Sequence, residues 1–359
     1  MTQPSAVMSG SGSAQPRQPG QRDQFTPEEL VVVLSRFEIG GVESIQEYAR
    51  GSRKAPKLLI TTEQGRFLLK RRAHGRDDPF KVAFTHAIQL HLANKQFPLP
   101  HLIGTKKDNN SMFQWRGGAY ELFEFIPGQP FPHTPESAFD GGHALGLFHK
   151  LLLDFTTQFQ PPTGSYHATP IIDQGLQMLR DNLLAGGGEE TRQLGEYLAD
   201  SYHQAAQAVE KQGLSKWPKR ICHADWHPGN MLYRENRVVA VIDYDSARLL
   251  PAIIDIANGA LQFAVIYGEG DVSSWPEFID EQRFKSFLRG YEEVTVLSQA
   301  EILAIPHLMA EALIAEAVLP IANTGTFGKV EGVKFLQMVK RKLKWLQDNR
   351  ARLIELAAG

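Results

Sequence analysis

The stretch that most limits how this chain can fold is Ile221 to Ala247, ICHADWHPGNMLYRENRVVAVIDYDSA. Two short apolar runs, Met231 to Tyr233 and Val238 to Ile242, flank a polar turn at Arg234 to Asn236, which is the pattern of a β-hairpin. A hairpin brings its ends together. One end is preceded by a loop carrying His223, Asp225, His227 and Asn230, and the other runs directly into Asp243 and Asp245. Three carboxylates and an amide are therefore expected in one place.

Asp225 and Asn230 share a tight loop broken by Pro228-Gly229, so they can address two adjacent points in space, and Asp243 arrives from the second strand. Mg²⁺ takes one or two protein oxygens and completes its shell with waters and phosphate oxygens. Asn230 and Asp243 suffice for that share, and Asp225 is left free as a base. Asp and Asn in turns often serve turn geometry alone, but that reading does not explain the whole ordered set on both sides of one hairpin. A carboxylate base, a metal pair and a lysine on the phosphates are the parts that phosphoryl transfer requires.

The pattern His223-Ala224-Asp225 followed by Asn230 resembles the H-[GA]-D-x-x-x-x-N loop of the aminoglycoside phosphotransferase and choline kinase superfamily. Ile242-Asp243-Tyr244 resembles its metal-binding I-D-[FWY]. The resemblance implies an α+β, two-lobed, protein-kinase-like fold, with a small antiparallel-sheet lobe over about 25–126 and a helical lobe over about 127–359. It implies ATP between the lobes with Mg²⁺, Asp225 as the base, Asn230 and Asp243 as metal ligands, His223 bracing the loop by hydrogen bonds, and Asp245 assisting.

Along the chain, Thr26-Pro27-Glu28-Glu29 carries the signature of a capped helix. Ser44 to Tyr48, Lys57 to Thr61 and Arg66 to Lys70 have strand character and form a small antiparallel sheet. In the resembled family a lysine ending the third strand binds the nucleotide phosphates, and Lys70 occupies that position, whereas Arg71 and Arg72 read as solvated cations at a strand end. Arg50 to Lys54 sits where that family keeps its nucleotide-positioning loop. Phe84, Ile88 and Leu92 mark Phe80 to Lys95 as a helix packed on the sheet. Kinases commonly pair their lysine with an acid on this helix, but Phe80 to Lys95 holds neither Glu nor Asp, which leaves His86 and Gln89 to face Lys70. Tyr120 to Ile126, closed by Pro127-Gly128, matches the hinge between lobes, which implies that the Glu124 carbonyl and the Ile126 amide hold adenine.

Beyond the hinge the character turns helical. Thr134-Pro135-Glu136 starts a capped helix leading to His149, a packed or hydrogen-bonded core histidine, and 172–209 reads as two helices broken near Gly186-Gly187-Gly188. Asp255 is expected to fix the loop by capping a helix. Ser298 with Glu301 forms a capping box, and Val333 to Leu356 reads as one last helix with its lysines in solvent.

A formal net charge of −2 gives no bulk attraction to nucleic acid or to an anionic membrane. Leu249 to Tyr267 is apolar but interrupted by Asp255, Asn258 and Gln262, so it reads as a buried helix, not a membrane span. The one cysteine, Cys222, excludes an internal disulfide, reads as a small core residue, and suits a cytoplasmic protein. Residues 1–24, rich in Ser, Gly, Gln and Pro without an apolar run, are expected to be a disordered leader and not a secretory signal. The partner implied is a small molecule offering a hydroxyl. Homoserine, choline, ethanolamine, aminoglycosides, sugars and protein hydroxyls all fit such an architecture, and similarity to type II homoserine kinases and spore-coat kinase-like proteins favours an amino alcohol or amino acid. Two rivals remain: a kinase-like nucleotide-binding protein with weak catalysis, motivated by the missing helix acid and the atypical Arg50 to Lys54 loop, and a zinc hydrolase built on His223, His227 and Asp225.

Overall fold

The computed structural model describes residues 22–49, 51–181 and 188–359. The expected leader up to residue 21, Arg50 of the basic turn, and Gly186 and Gly187 of the expected helix break lie outside them. Two compact units partition the chain: one runs through Asp77 and resumes over Ile103–Phe123, and the other comprises Asp78–Leu102 and Glu124–Gly359.

The first unit opens on helix α1 (Pro27–Leu34). The Thr26 hydroxyl accepts the Glu29 N–H at 3.1 Å and the Glu29 carboxylate accepts the Thr26 N–H at 3.0 Å, so two donors of the first turn are satisfied reciprocally. Arg22 and Asp23, expected within the leader, are docked instead: the Arg22 guanidinium donates to the carbonyls of Ala49 at 2.7 Å and Ser52 at 3.0 Å, and the Asp23 N–H to that of Arg53 at 3.0 Å. A five-stranded sheet follows, built of β1 (Val42–Glu47), β2 (Lys57–Thr62), β3 (Gly65–Arg71), β4 (Phe113–Trp115) and β5 (Gly118–Glu124), in the order β1-β2-β3-β5-β4. Alternation along β3 turns Phe67 and Leu69 inward, onto Val33 of α1 and Ile60 of β2.

The second unit begins with α2 (Pro79–Asn94). This helix was expected on the sheet, yet Phe84, Ile88 and Leu92 are buried in the core of the helical unit with Phe97, Leu99 and Phe148. The segment after α2 is tied there too, because the Val241 N–H donates to the Pro98 carbonyl at 2.9 Å. Next come α3 (Pro135–Leu151), α4 (Pro170–Arg180) and α5 (Glu189–Lys211). Two short antiparallel pairs then form, β6 (Lys219–Cys222) with β9 (Arg248–Pro251), and the hairpin β7 (Met231–Arg234) with β8 (Arg237–Val241). Helices α6 (Ala252–Ala264), α7 (Glu281–Glu292) and α8 (Gln299–Thr324), a small hairpin β10 (Thr326–Phe327) with β11 (Val330–Glu331), and α9 (Gly332–Asp348) and α10 (Arg350–Ala358) complete the chain.

α8 is long and apolar enough to cross a membrane by length and composition alone, but most of that apolar stretch is buried against neighbouring helices. The expected single last helix is two, because Asn349 turns both its side-chain amide (2.9 Å) and its backbone N–H (3.0 Å) onto the Trp345 carbonyl and ends α9 there. Nor are the lysines of α9 all solvated. Lys342 is buried and donates to the carbonyls of Ile266 at 3.1 Å and Phe278 at 3.5 Å, and to that of Pro276.

Candidate active site

β6 delivers the chain into a loop that the backbone adopts only under restraint. Ala224 has φ +60°, in the left-handed region that a Cβ disfavours. The restraint is Asp255, in the first turn of α6: its two carboxylate oxygens accept the N–H of His223 at 2.6 Å and of Ala224 at 2.7 Å. His149 Nε2 donates to the same carboxylate at 3.3 Å, and its Nδ1 accepts the Tyr291 hydroxyl at 3.1 Å. Asp255 therefore fixes the loop by holding its amides, not by capping a helix as expected. His149, Cys222 and Asp255 are close enough for a metal, but all three are buried and Asp255 is committed to the loop. Cys222 is the expected core residue, its thiol pushed well up by burial.

The loop presents Asp225 half-exposed. The Asn230 amide donates to both the Asp225 carboxylate and the Asp225 carbonyl, each at 3.0 Å, which leaves the amide oxygen of Asn230 for a cation. His227 Nδ1 accepts the Gly229 N–H at 3.0 Å, so the proton of the neutral ring sits on Nε2, and Nε2 lies 3.7 Å from the Asp225 carboxylate. Partial burial works to raise the Asp225 carboxyl, but His227 and the Asn230 amide outweigh it and hold it below its ordinary value. Burial likewise opposes charge on His227, and Asp225 outweighs that, leaving the imidazole above its ordinary value.

The hairpin closes the other side. The Ile242 N–H donates to the Asn230 carbonyl at 2.9 Å, so Asp243, the next residue, leaves the ladder beside Asn230. Asp243 also has positive φ, +65°, and its side chain is exposed. An amide oxygen just before β7 and a carboxylate just after β8 form a hard-oxygen donor set, and Mg²⁺ fits it. Asp245 is half-buried in the short helical turn after Asp243.

The His223 ring is buried and packs against Trp226 and Tyr244, with centroids at 5.4 and 5.3 Å; neither ring nitrogen meets a partner at ordinary hydrogen-bond distance among the described residues, although the Ile242 backbone favours its protonated form. Burial holds it below its ordinary pKa, so it is neutral packing beside the site. With its ring sealed, the three-residue zinc set of His223, His227 and Asp225 is not assembled.

The first unit holds Lys70, near the end of β3. One partner is an acid that strand β5 supplies: Lys70 Nζ lies 3.7 Å from Glu121, and Arg72 meets the other oxygen of the same carboxylate at 2.7 Å. Arg71 pairs with Glu29 at 2.7 Å. Arg71 and Arg72, expected in solvent, are thus both engaged, because each faces a buried carboxylate from a neighbouring element. The signal for Glu121 was in the sequence, as an acid inside the apolar run Tyr120 to Ile126. Glu124 closes β5, its N–H donating to the His101 carbonyl at 2.9 Å, and Ile126 follows half-buried.

A family model described as "Phosphotransferase enzyme family" matches residues 44–300. A homoserine kinase of Acidiphilium cryptum is 27% identical over 301 residues, covering 81% of this chain and 84% of that protein. An aminoglycoside phosphotransferase from Alicyclobacillus acidocaldarius superposes with a TM-score of 0.69 at 16% identity, covering 93% of this chain and 98% of the other. An amicoumacin kinase, solved with AMP-PNP, Ca²⁺ and Ami, gives a TM-score of 0.65 at 15% identity over 90% of this chain and 94% of its own.

Proposed function

The chain belongs to the phosphotransferase enzyme family, and from that premise we propose that it transfers the γ-phosphate of ATP, with Mg²⁺, to a hydroxyl of a small amino alcohol or of an amino acid such as homoserine. Its fold is the kinase-like α+β fold of the structures it resembles. One observation carries the assignment of roles: the Asn230 side chain holds Asp225 while its backbone holds Ile242 beside Asp243, so base and metal ligands are fixed by one residue.

Asp225, kept ionised by its neighbours, orients the acceptor hydroxyl and takes its proton late in transfer. Asn230 and Asp243 hold the metal, which supplies charge neutralisation across the phosphates, and Asp245 supports Asp243. Lys70, kept in place by Glu121, binds nucleotide phosphates, and the Glu124 carbonyl and Ile126 amide take the base. The weakly catalytic alternative rested on the missing helix acid and on the atypical Arg50 to Lys54 loop; against the first, Glu121 of β5 stands 3.7 Å from Lys70. A cytoplasmic setting agrees with a single buried thiol.

Mg-dependent ATP consumption across a panel of hydroxyl acceptors tests this. Asp225→Asn and Asp243→Asn should each lower kcat by about 10²-fold or more. Full activity of both variants on an acceptor the wild type uses would show the roles to be wrong.

A further inference from the structure

Helices α5, α8, α9 and α10 of the second unit border a cavity of about 140 Å³ that shares no residue with the catalytic loop. Protein interiors leave few voids larger than a water molecule, so one of this size has a local cause. Its walls are short side chains, Ala205 and Ala208 on α5 and Pro306 and Ala310 on α8, and the buried Leu346 of α9 adds a further apolar surface. A cavity of about 150 Å³ admits a molecule the size of benzene, whereas pockets for drug-sized ligands start from roughly 300 Å³. The space suits a compact guest and is too small for a nucleotide.

The polar part of the lining carries one sign of charge. Arg350, the first residue of α10, is half-buried, and its guanidinium makes no ion pair or hydrogen bond among the described residues. His307 of α8 is half-buried too, and no described residue engages either ring nitrogen. Burial, and behind it the charge of Arg350, holds this imidazole down at about 4, with no acid acting against them. Gln347 Nε2 donates to the Ser201 hydroxyl at 3.2 Å while its Oε1 accepts the Tyr197 hydroxyl at 3.0 Å, so the amide is held in place with a second N–H to give. Among the described residues no Asp or Glu lines the cavity. A partly dry guanidinium without a counter-charge is costly, and an anion offsets that cost.

We infer that this cavity binds a compact oxyanion, the carboxylate or phosphate group of a small molecule that carries no ammonium, with Arg350 as its principal donor and His307 and Gln347 beside it. A guanidinium fork matches carboxylate and phosphate alike. The arriving negative charge also reverses the bias that Arg350 imposes on His307, so the ring becomes easier to protonate and a better donor. An ammonium on the guest would face Arg350 and find no acid. None of these residues takes part in phosphoryl transfer as assigned above, so the site is a second one, separate from the reaction.

Inorganic phosphate is also a fragment of ATP, so the readout has to be local to the cavity. The C2 proton of the His307 imidazole, identified by its loss in His307→Gln, is followed by NMR at pH 6.5 and constant ionic strength as sodium phosphate, sodium propanoate or β-alanine is added to the full-length protein. Phosphate or propanoate should move it saturably with a Kd of about 1 mM, the affinity that two or three charge-assisted hydrogen bonds support, and the tighter of the two identifies the source of the oxyanion. β-Alanine, which adds an ammonium to the same carboxylate, should bind about tenfold more weakly than propanoate. Arg350→Gln should weaken the anion about tenfold or more, and Arg350→Lys should restore part of the loss. Ala208→Met, which fills the cavity without touching a charge, should abolish the response, and it decides alone if Arg350→Gln does not fold. No saturable movement with either anion would overturn the inference, as would a response left unchanged by Arg350→Gln or by Ala208→Met. β-Alanine bound as tightly as propanoate would overturn the exclusion of ammonium compounds.

Discussion

The left-handed backbone at Ala224 costs about 1–2 kcal/mol for a residue with a Cβ, and the two amide bonds to Asp255 hold it in place. Asp255→Ala leaves both amides and His149 without their acceptor, so it should lower stability by about 2–4 kcal/mol and reduce turnover with it, read by urea denaturation and by kcat. His227 is a separate case, since its ring is fixed by Gly229 and directs Nε2 at Asp225. His227→Phe should lower kcat about tenfold and leave the unfolding midpoint nearly unchanged; equal losses in both would make the residue merely structural. Asp225, Asn230 and Asp243 were legible in the chain because a single hairpin brings them together, and local pattern reports local geometry. The hold of Asp255 on two amides was not, because it joins α6 to a loop distant in sequence and uses backbone donors that every residue type but proline has. The packing of the His223 ring was not legible for a related reason: spacing places a residue on a loop but does not say which way its ring turns.

At the scale of elements, the start signals were the most legible part. Thr26, Thr134 and Ser298 each cap a helix and were each visible as short-range patterns. Partners between elements were harder. Lys342 falls on the apolar stripe of α9, between Val339 and Leu346, and a lysine there must carry its charge to acceptors, which are the three carbonyls of the 266–278 segment. Lys342→Met should cost about 2–3 kcal/mol of stability despite the gain in apolar character, and a midpoint in urea equal to wild type would refute that account. Between β3 and β5, Glu121 is a fully buried acid facing two cations. Removing its charge as Glu121→Gln leaves Arg72 buried and uncompensated, with an expected loss of about 3–5 kcal/mol, together with a weaker response to nucleotide in thermal shift.

For the molecule as a whole, the expected boundary after residue 126 differs from the observed partition, in which 78–102 joins the helical unit. Helical periodicity in Phe84, Ile88 and Leu92 announces a buried face without saying which core will claim it. Global stability should also carry a pH signature. Burial, and behind it Arg350, holds the His307 imidazole down at about 4. The unfolded chain takes up that proton near 6.5, so stability is full above about 6.5 and is lost as pH falls toward 4. The midpoint of thermal unfolding should fall over that window, and His307→Gln should flatten the slope; parallel slopes would acquit the residue. Finally, the sole thiol of the chain is sealed at the end of β6, just before the His223 to Asn230 loop. Maleimide reagents should therefore find nothing to label in the native protein, and cysteines introduced one per unit would accept spin probes without background. Pulsed resonance on such a doubly tagged sample would then follow the separation of the two units as nucleotide is titrated in.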